Sequence, residues 1–234
     1  MSLLTLDSDN DTWSVTVFGT TGDAPLKALR NADCFTRVVR ACPLHAHWLD
    51  GEPLTRVLAM AGVIDRIHRY TVDGRPLVTG FAAVGDAWAC TNPSAGRGLS
   101  VGLLHAQVLR QVVAAYLDDP ATFAHMWGER TEREVAPDVW NQVAADRQRI
   151  GEMTALREGR EPLTPDPASR RFFTAAGQDA DVFRALLETV HCLALPQQVL
   201  ARPVVARQVE RLGDAPATPL PGPDRTELLR LLAG

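Results

Sequence analysis

Residues 84–100, VGDAWACTNPSAGRGLS, place three glycines, a proline, an acid and an arginine between an apolar run and an apolar stretch of helical character. Such a turn can cradle a phosphate, hold a polar ligand, or simply join a strand to a helix. A P-loop is excluded, because it needs GxxxxGK[ST] and the chain's lysine, Lys27, lies far away. The primary dinucleotide fingerprint also fails. Gly96, Gly98 and Gly102 give GxGxxxG, with Val101 where the third glycine belongs. The acid expected about 20 residues further on would fall at Asp118 or Asp119, at a helix end rather than a strand end. What survives is the chemistry of a helix N-terminus. Asp86 closes the apolar run, Pro93 stiffens the loop, and Gly96 and Gly98 let backbone N–H groups approach a ligand. The first helical turn then offers unpaired N–H groups and a positive dipole end to something electron-rich. Asp86 suits a hydroxylated ligand, since its charge would repel a bare phosphate. The plain alternative is a tight turn whose glycines serve only helix–strand packing.

Other chemically capable residues are scattered. Cys34, Cys42, Cys90 and Cys192 contain no CxxC pair, so neither a disulfide framework nor a zinc site is indicated. His45 and His47, in HAHW before Leu49, would share one face of a strand, but two ligands do not make a metal site. With Trp48 they are candidates to reach a substrate, or a packed loop. Cys90 is either a reactive thiol of the loop or a small buried hydrophobe.

The elements that must position these residues are read from periodicity. LLTL and TWSVTVFG flank SDND and predict a β-hairpin, with Trp13, Val15 and Val17 alternating against Thr12, Ser14 and Thr16. Residues 24–41 predict a helical segment broken near Asn31, followed by an irregular loop. Alternation over residues 67–72, a turn at DGRP and the run LVTGFAAVGD predict strands, the last buried on both faces. Leu99–Tyr116 is apolar almost all round, which predicts a buried helix. Pro120 opens another helix running towards Leu156, with a break or kink at Pro137. REGREPLTPDP reads as a linker, residues 179–195 and 197–212 as helices, GDAPATPLPGP as a second linker, and RTELLRLLAG as a terminal helix. The class is α+β, a partial member of the α/β kind. It divides into a strand-rich region 1–80, a strand–turn–helix unit 81–118 and a helical region 119–234.

At 234 residues, with 46% hydrophobic and 22% charged residues, the chain can bury a substantial core. The formal charge of −4 argues against nucleic acid or an anionic membrane as the main partner. No apolar run approaches the roughly 20 residues of a membrane span, and MSLLTLDSDNDTW lacks the form of a signal peptide, so a cytoplasmic location is expected.

The pattern from Val84 to Leu109 resembles the second FAD motif of the flavoprotein monooxygenases of the aromatic-hydroxylase type, and of related reductases and halogenases. That motif reads approximately GDAAHxxxPxxGxGxNxGxxDAxxLA, and Gly85, Asp86, Ala87, Pro93, Gly96, Gly98, Gly102, Ala106 and Leu109 match it. Trp88-Ala89 replaces the usual Ala-His, Ser100 the asparagine after GxG, and His105 the aspartate before the second alanine. The resemblance implies that Asp86 contacts the ribityl chain of FAD, with Gly85 beside it. Pro93, Gly96, Arg97 and Gly98 would lie along the isoalloxazine ring, with Leu99 and Ser100 at the helix N-terminus facing its N1/C2=O edge. It implies an FAD-dependent oxidoreductase, monooxygenase-like, taking electrons from NAD(P)H and oxidising a small apolar or aromatic substrate. A reductase or dehydrogenase of the same fold uses the same motif.

The family's N-terminal GxGxxG unit, which holds the adenosine diphosphate half, has no counterpart among these residues. The expectation is a C-terminal part of such an enzyme, truncated or completed by a missing N-terminal half or partner chain, with weak FAD binding by itself. Two other readings remain open: a non-catalytic fragment or interaction protein, and a module binding another anionic ligand at the helix N-terminus.

Overall fold

The computed structural model describes residues 1–62, 64–161, 166–216 and 220–234. Helix accounts for 56% of the chain and strand for 9%, in small antiparallel pairs, so the class is mixed α+β and mostly helical. The described residues form two units. One gathers 1–62, 149–161 and 220–234, the other 64–148 and 166–216.

In the first unit, β1 (Ser2–Asp7) and β2 (Trp13–Phe18) pair antiparallel as their alternation requires. The connection is a type I′ turn. Asn10 and Asp11 both adopt left-handed backbone (φ 54° and 55°), and the Thr12 N–H donates to the Asp9 carbonyl at 3.2 Å. Short polar side chains tolerate that conformation, and its twist matches that of the strands. The expected break near Asn31 is a cap. A 3-10 helix over Ala24–Arg30 ends there, and the Asn31 side chain accepts from the Cys34 N–H at 3.0 Å to start α1 (Ala32–Arg40). Cys34 and Val38 of α1 pack on Leu228 and Leu232 of the terminal helix, α9 (Arg225–Ala233). The HAHW segment forms a 3-10 turn, Ala46–Leu49, not a strand, so His45 and His47 do not share a strand face.

The second unit departs from the expected sheet. Its strands are two residues long: β3 (Arg66–Ile67) pairs with β6 (Ala89–Cys90), and β4 (Thr71–Val72) with β5 (Arg75–Pro76) around Asp73-Gly74. LVTGFAAVGD is not a strand. Leu77, Val78 and Phe81 are exposed and only Ala83 is fully buried. A strand buried on both faces needs paired neighbours and covering layers, and no parallel sheet forms among the described residues to supply them.

Helices carry the rest. The stretch expected to be buried all round, α2 (Gly98–Tyr116), buries Val101, His105, Val108 and Val112 on one side. It leaves Leu99 77% and Leu103 63% exposed, so its apolar circumference is only half used. Asp119 caps α3 (Pro120–Glu134), accepting from the N–H groups of Ala121 and Thr122. Pro137 acts as expected: α3 stops before it, and α4 (Ala136–Arg157) restarts with the proline in its first turn. The first linker lies partly outside the described residues (162–165), as does the second (217–219). An additional helix, α5 (Pro167–Ala176), begins at the first linker's end, capped by Asp166. Then α6 (Ala180–Val190) follows, and the helix expected over 197–212 proves to be two, α7 (Pro196–Leu200) and α8 (Pro203–Leu212). Pro203 lacks the N–H needed to continue the first and sits readily at the start of the second. Among the described residues no helix is long and apolar enough to cross a membrane.

One contact in the first unit gives a direct stability test. Arg225 donates to both Asp23 oxygens at 2.8 Å, and the Asp23 side chain is 8% exposed. Arg225→Ala strands that carboxylate and is expected to cost about 2–3 kcal/mol. Arg225→Lys, which cannot form the two-pronged pair, should recover only part of this. Denaturant midpoints of the three proteins check it.

Candidate functional site

The motif begins on a 3-10 turn, Gly85–Ala87, rather than at a strand end. Gly85 is left-handed (φ 57°), and a Cβ there would lie 3.6 Å from the Gly102 Cα, so the turn rests on the backbone of α2. The Gly85 N–H donates to Nδ1 of His105 at 3.3 Å, and Nε2 of His105 lies 3.0 Å from the Thr131 hydroxyl. Because Nδ1 accepts, the ring proton is assigned to Nε2 and the imidazole is neutral. His105 is fully buried, stacked on Trp127 (4.3 Å, 8°) and met edge-on by Trp88 (4.9 Å). Burial lowers its pKa to about 4. His105 is a structural node, not an acid or base of the site. Trp127 and Thr131 were not legible as its partners, since helix α3 carries them far along the chain.

The loop continues through Asn92, whose side chain accepts from the Ser94 N–H at 3.0 Å and starts a 3-10 turn, Pro93–Ala95. Pro93 is exposed. Gly96 is left-handed (φ 68°, ψ 13°) with open space where a side chain would stand. Arg97 is the N-cap of α2 and caps nothing with its side chain. The first N–H paired back into the helix is that of Val101, donating to the Arg97 carbonyl at 2.9 Å, so those of Gly98, Leu99 and Ser100 precede it. Asp86 is exposed, and its Oδ1 lies 3.8 Å from the point a Gly98 Cβ would occupy. Among the described residues its carboxylate has no hydrogen-bond or ion-pair partner. Ser100 is half-buried and Leu99 projects into solvent. The structure thus gathers Asp86, Gly96, Gly98, Leu99 and Ser100 around one uncapped helix end.

Behind the loop, α4 presents Asp138, Gln142 and Asp146, spaced four apart and each at most 6% exposed. Asp146 Oδ1 accepts from the Asn92 side-chain amide at 2.9 Å. Burial raises the pKa of Asp138, opposed by the positive charge of Arg97 and by the Cys192 thiol. Burial, aided by the Asp138 charge, pushes Cys192 up to about 11, so it remains a thiol. Cys90 is half-buried in β6, opposite Arg66. His47 packs against Trp48 in the first unit. Among the described residues no group of three or more His, Cys, Asp or Glu is placed to hold a metal.

The neutral His105 has a pH consequence. Held neutral in the fold but free to protonate when unfolded, it makes the folded state bind fewer protons between pH 6.5 and about 4. Stability should fall as pH drops through that window and level off below it, by on the order of 3 kcal/mol at most. His105→Gln, neutral throughout, is expected to flatten this acid limb while losing stability at neutral pH from the broken ring stack. Denaturation across pH 4–7 reads both. Compared with known proteins, the chain matches no family model and no curated sequence.

Proposed function

We propose that residues 85–100 hold the flavin side of FAD, and that the protein is a flavin-dependent oxidoreductase of the aromatic-hydroxylase type. The observation that carries this reading is the partnerless Asp86 carboxylate beside the uncapped N-terminus of α2, in the motif's own spacing. The residues present fit the ribityl and ring-edge part of the cofactor. Asp86 can accept from a ribityl hydroxyl, and the N–H groups of Gly98, Leu99 and Ser100 can donate to an electron-rich ring edge. Gly96 leaves the approach open, Pro93 holds the loop's curve, and Leu99 offers an apolar surface that excludes water when covered. The helix dipole favours negative charge at that end, which stabilises a reduced ring over an oxidised one.

A flavin bound there would supply the redox chemistry, hydride and electron transfer with NAD(P)H as the donor, that no side chain of the loop offers. The proposed substrate is small and apolar or aromatic, and monooxygenation is the favoured reaction. The chain's own part is to bind, orient and desolvate. Residues 85–100 reach only the riboflavin portion, and no GxGxxG assigns the adenosine half to this chain.

Titrating isotopically labelled protein with FMN and with FAD, followed by amide NMR, tests this. The Gly98, Leu99 and Ser100 amides should shift with both ligands at similar affinity, and Asp86→Ala should weaken both by about tenfold, the loss of one charge-assisted hydrogen bond. Shifts of the same amides by ADP or inorganic phosphate alone would make this a general anion site. Absence of shifts with either flavin would overturn the reading.

A further inference from the structure

Asp86 has no hydrogen-bond partner of its own among the described residues, through backbone or side chain, so its place is set by its neighbours. After it in the chain, the turn is held by residues just past β3. The His68 N–H donates to the Trp88 carbonyl at 2.8 Å, and the Tyr70 hydroxyl to the Ala87 carbonyl at 3.5 Å. Before it, the tether is the Gly85 N–H, which donates to Nδ1 of His105 at 3.3 Å. That ring is itself fixed. It has no exposed surface, stacks on Trp127, meets Trp88 edge-on and reaches the Thr131 hydroxyl at 3.0 Å. His105 also belongs to α2, seven residues after Gly98. Seven residues make two turns, about 10 Å, and return to the same helix face. Gly102 lies between them, and a Cβ on Gly85 would stand 3.6 Å from its Cα. The helix that offers the Gly98, Leu99 and Ser100 N–H groups thus also carries the atom to which the Asp86 turn is tied.

We propose that His105 is a positioning residue of the site: the lone pair on its Nδ1 holds the Gly85 N–H, and so sets Asp86 at a fixed distance from the N–H groups that open α2. It rests on the flavin reading for the ligand's identity, and the anchoring itself stands without it. The operative atom is one nitrogen. A backbone N–H can only donate, so Nδ1 must be the unprotonated nitrogen. In the other tautomer two N–H groups would face each other across the same 3.3 Å, and the turn would have to leave the ring. A ligand that needs both the Asp86 carboxylate and the helix-end N–H groups gains when their separation is fixed before it arrives. Core packing alone requires something different, only that the volume of the ring be filled.

Two substitutions separate these roles. The side-chain oxygen of Asn stands near the place of Nδ1, so His105→Asn can still accept from the Gly85 N–H. The longer Gln side chain carries its amide near the place of Nε2. His105→Gln therefore keeps a partner for Thr131 and leaves the Gly85 N–H without an acceptor. Both give up the ring stack on Trp127, so that loss of stability is common to the two and is read separately from denaturant midpoints. By NMR, the contact between the Asp86 β-protons and Gly98 should persist in the native protein and in His105→Asn, and fade in His105→Gln. The Gly85 amide should exchange about fivefold faster in His105→Gln than in His105→Asn. FMN, titrated as the probe, should bind His105→Gln about fivefold more weakly than His105→Asn, the worth of one neutral hydrogen bond. Any of these readouts left equal in the two variants overturns the proposal, since a packing role alone produces that result. If the native protein binds no FMN, the flavin reading falls, and the Asp86 contact and Gly85 exchange still decide the anchoring. If a variant fails to fold, the native protein decides by itself. A coupling across the hydrogen bond between the Gly85 and Nδ1 nitrogens supports the proposal, and a protonated Nδ1 at pH 7 overturns it.

Discussion

The donation from the Gly85 N–H to a buried, neutral His105 is the contact on which the second unit's architecture turns. A histidine with no exposed surface can be tolerated only if both ring nitrogens find partners and the ring stays uncharged. Here one nitrogen takes the backbone N–H of the motif turn and the other meets Thr131, while two tryptophans enclose the faces and edge. That single ring ties the turn, α2 and α3 into one core, together with Val101, Val108, Val112 and Val139. Gly85 favours this turn through its left-handed backbone (φ 57°), which places its N–H towards the ring.

A second constraint follows from the polar stripe of α4. Buried acids are expensive, and Asp146 is tied to the loop through the Asn92 side-chain amide, while the charge of Arg97 offsets part of the cost of burying Asp138. The loop is thereby fastened to α4 at Asn92, while Asp86, beside the uncapped start of α2, is exposed. Rigid support behind and unpaired donors in front is the arrangement a pre-organised binding site requires.

Much of the local structure was legible. Alternation and SDND specified the first hairpin, because a type I′ turn accepts Asn and Asp at left-handed positions. Asn31, Asp119 and Pro137 marked helix boundaries through local capping and steric rules that need no distant partner. The failures share one cause. LVTGFAAVGD has the composition of a buried strand, but no neighbouring strands assemble around it, and composition cannot supply hydrogen-bond partners. Leu99 and Leu103 read as core for a similar reason: an apolar circumference says what a helix tolerates, not which side is covered. Apolar periodicity runs unbroken over 197–212, but Pro203, which has no N–H to continue a helix, separates α7 from α8.

The residues by themselves determined the motif's spacing, the exclusion of a P-loop and a primary dinucleotide fingerprint, and the place where a helix N-terminus would be exposed. Those depend on chain-local geometry. Tertiary structure alone decided that His105 is a core node meeting Gly85 and Thr131, and that Asp138 and Asp146 are buried, Asp146 bonded to Asn92 of the loop. These pairings join residues tens of positions apart. They exist only because burial withdraws water from groups that must then find one another.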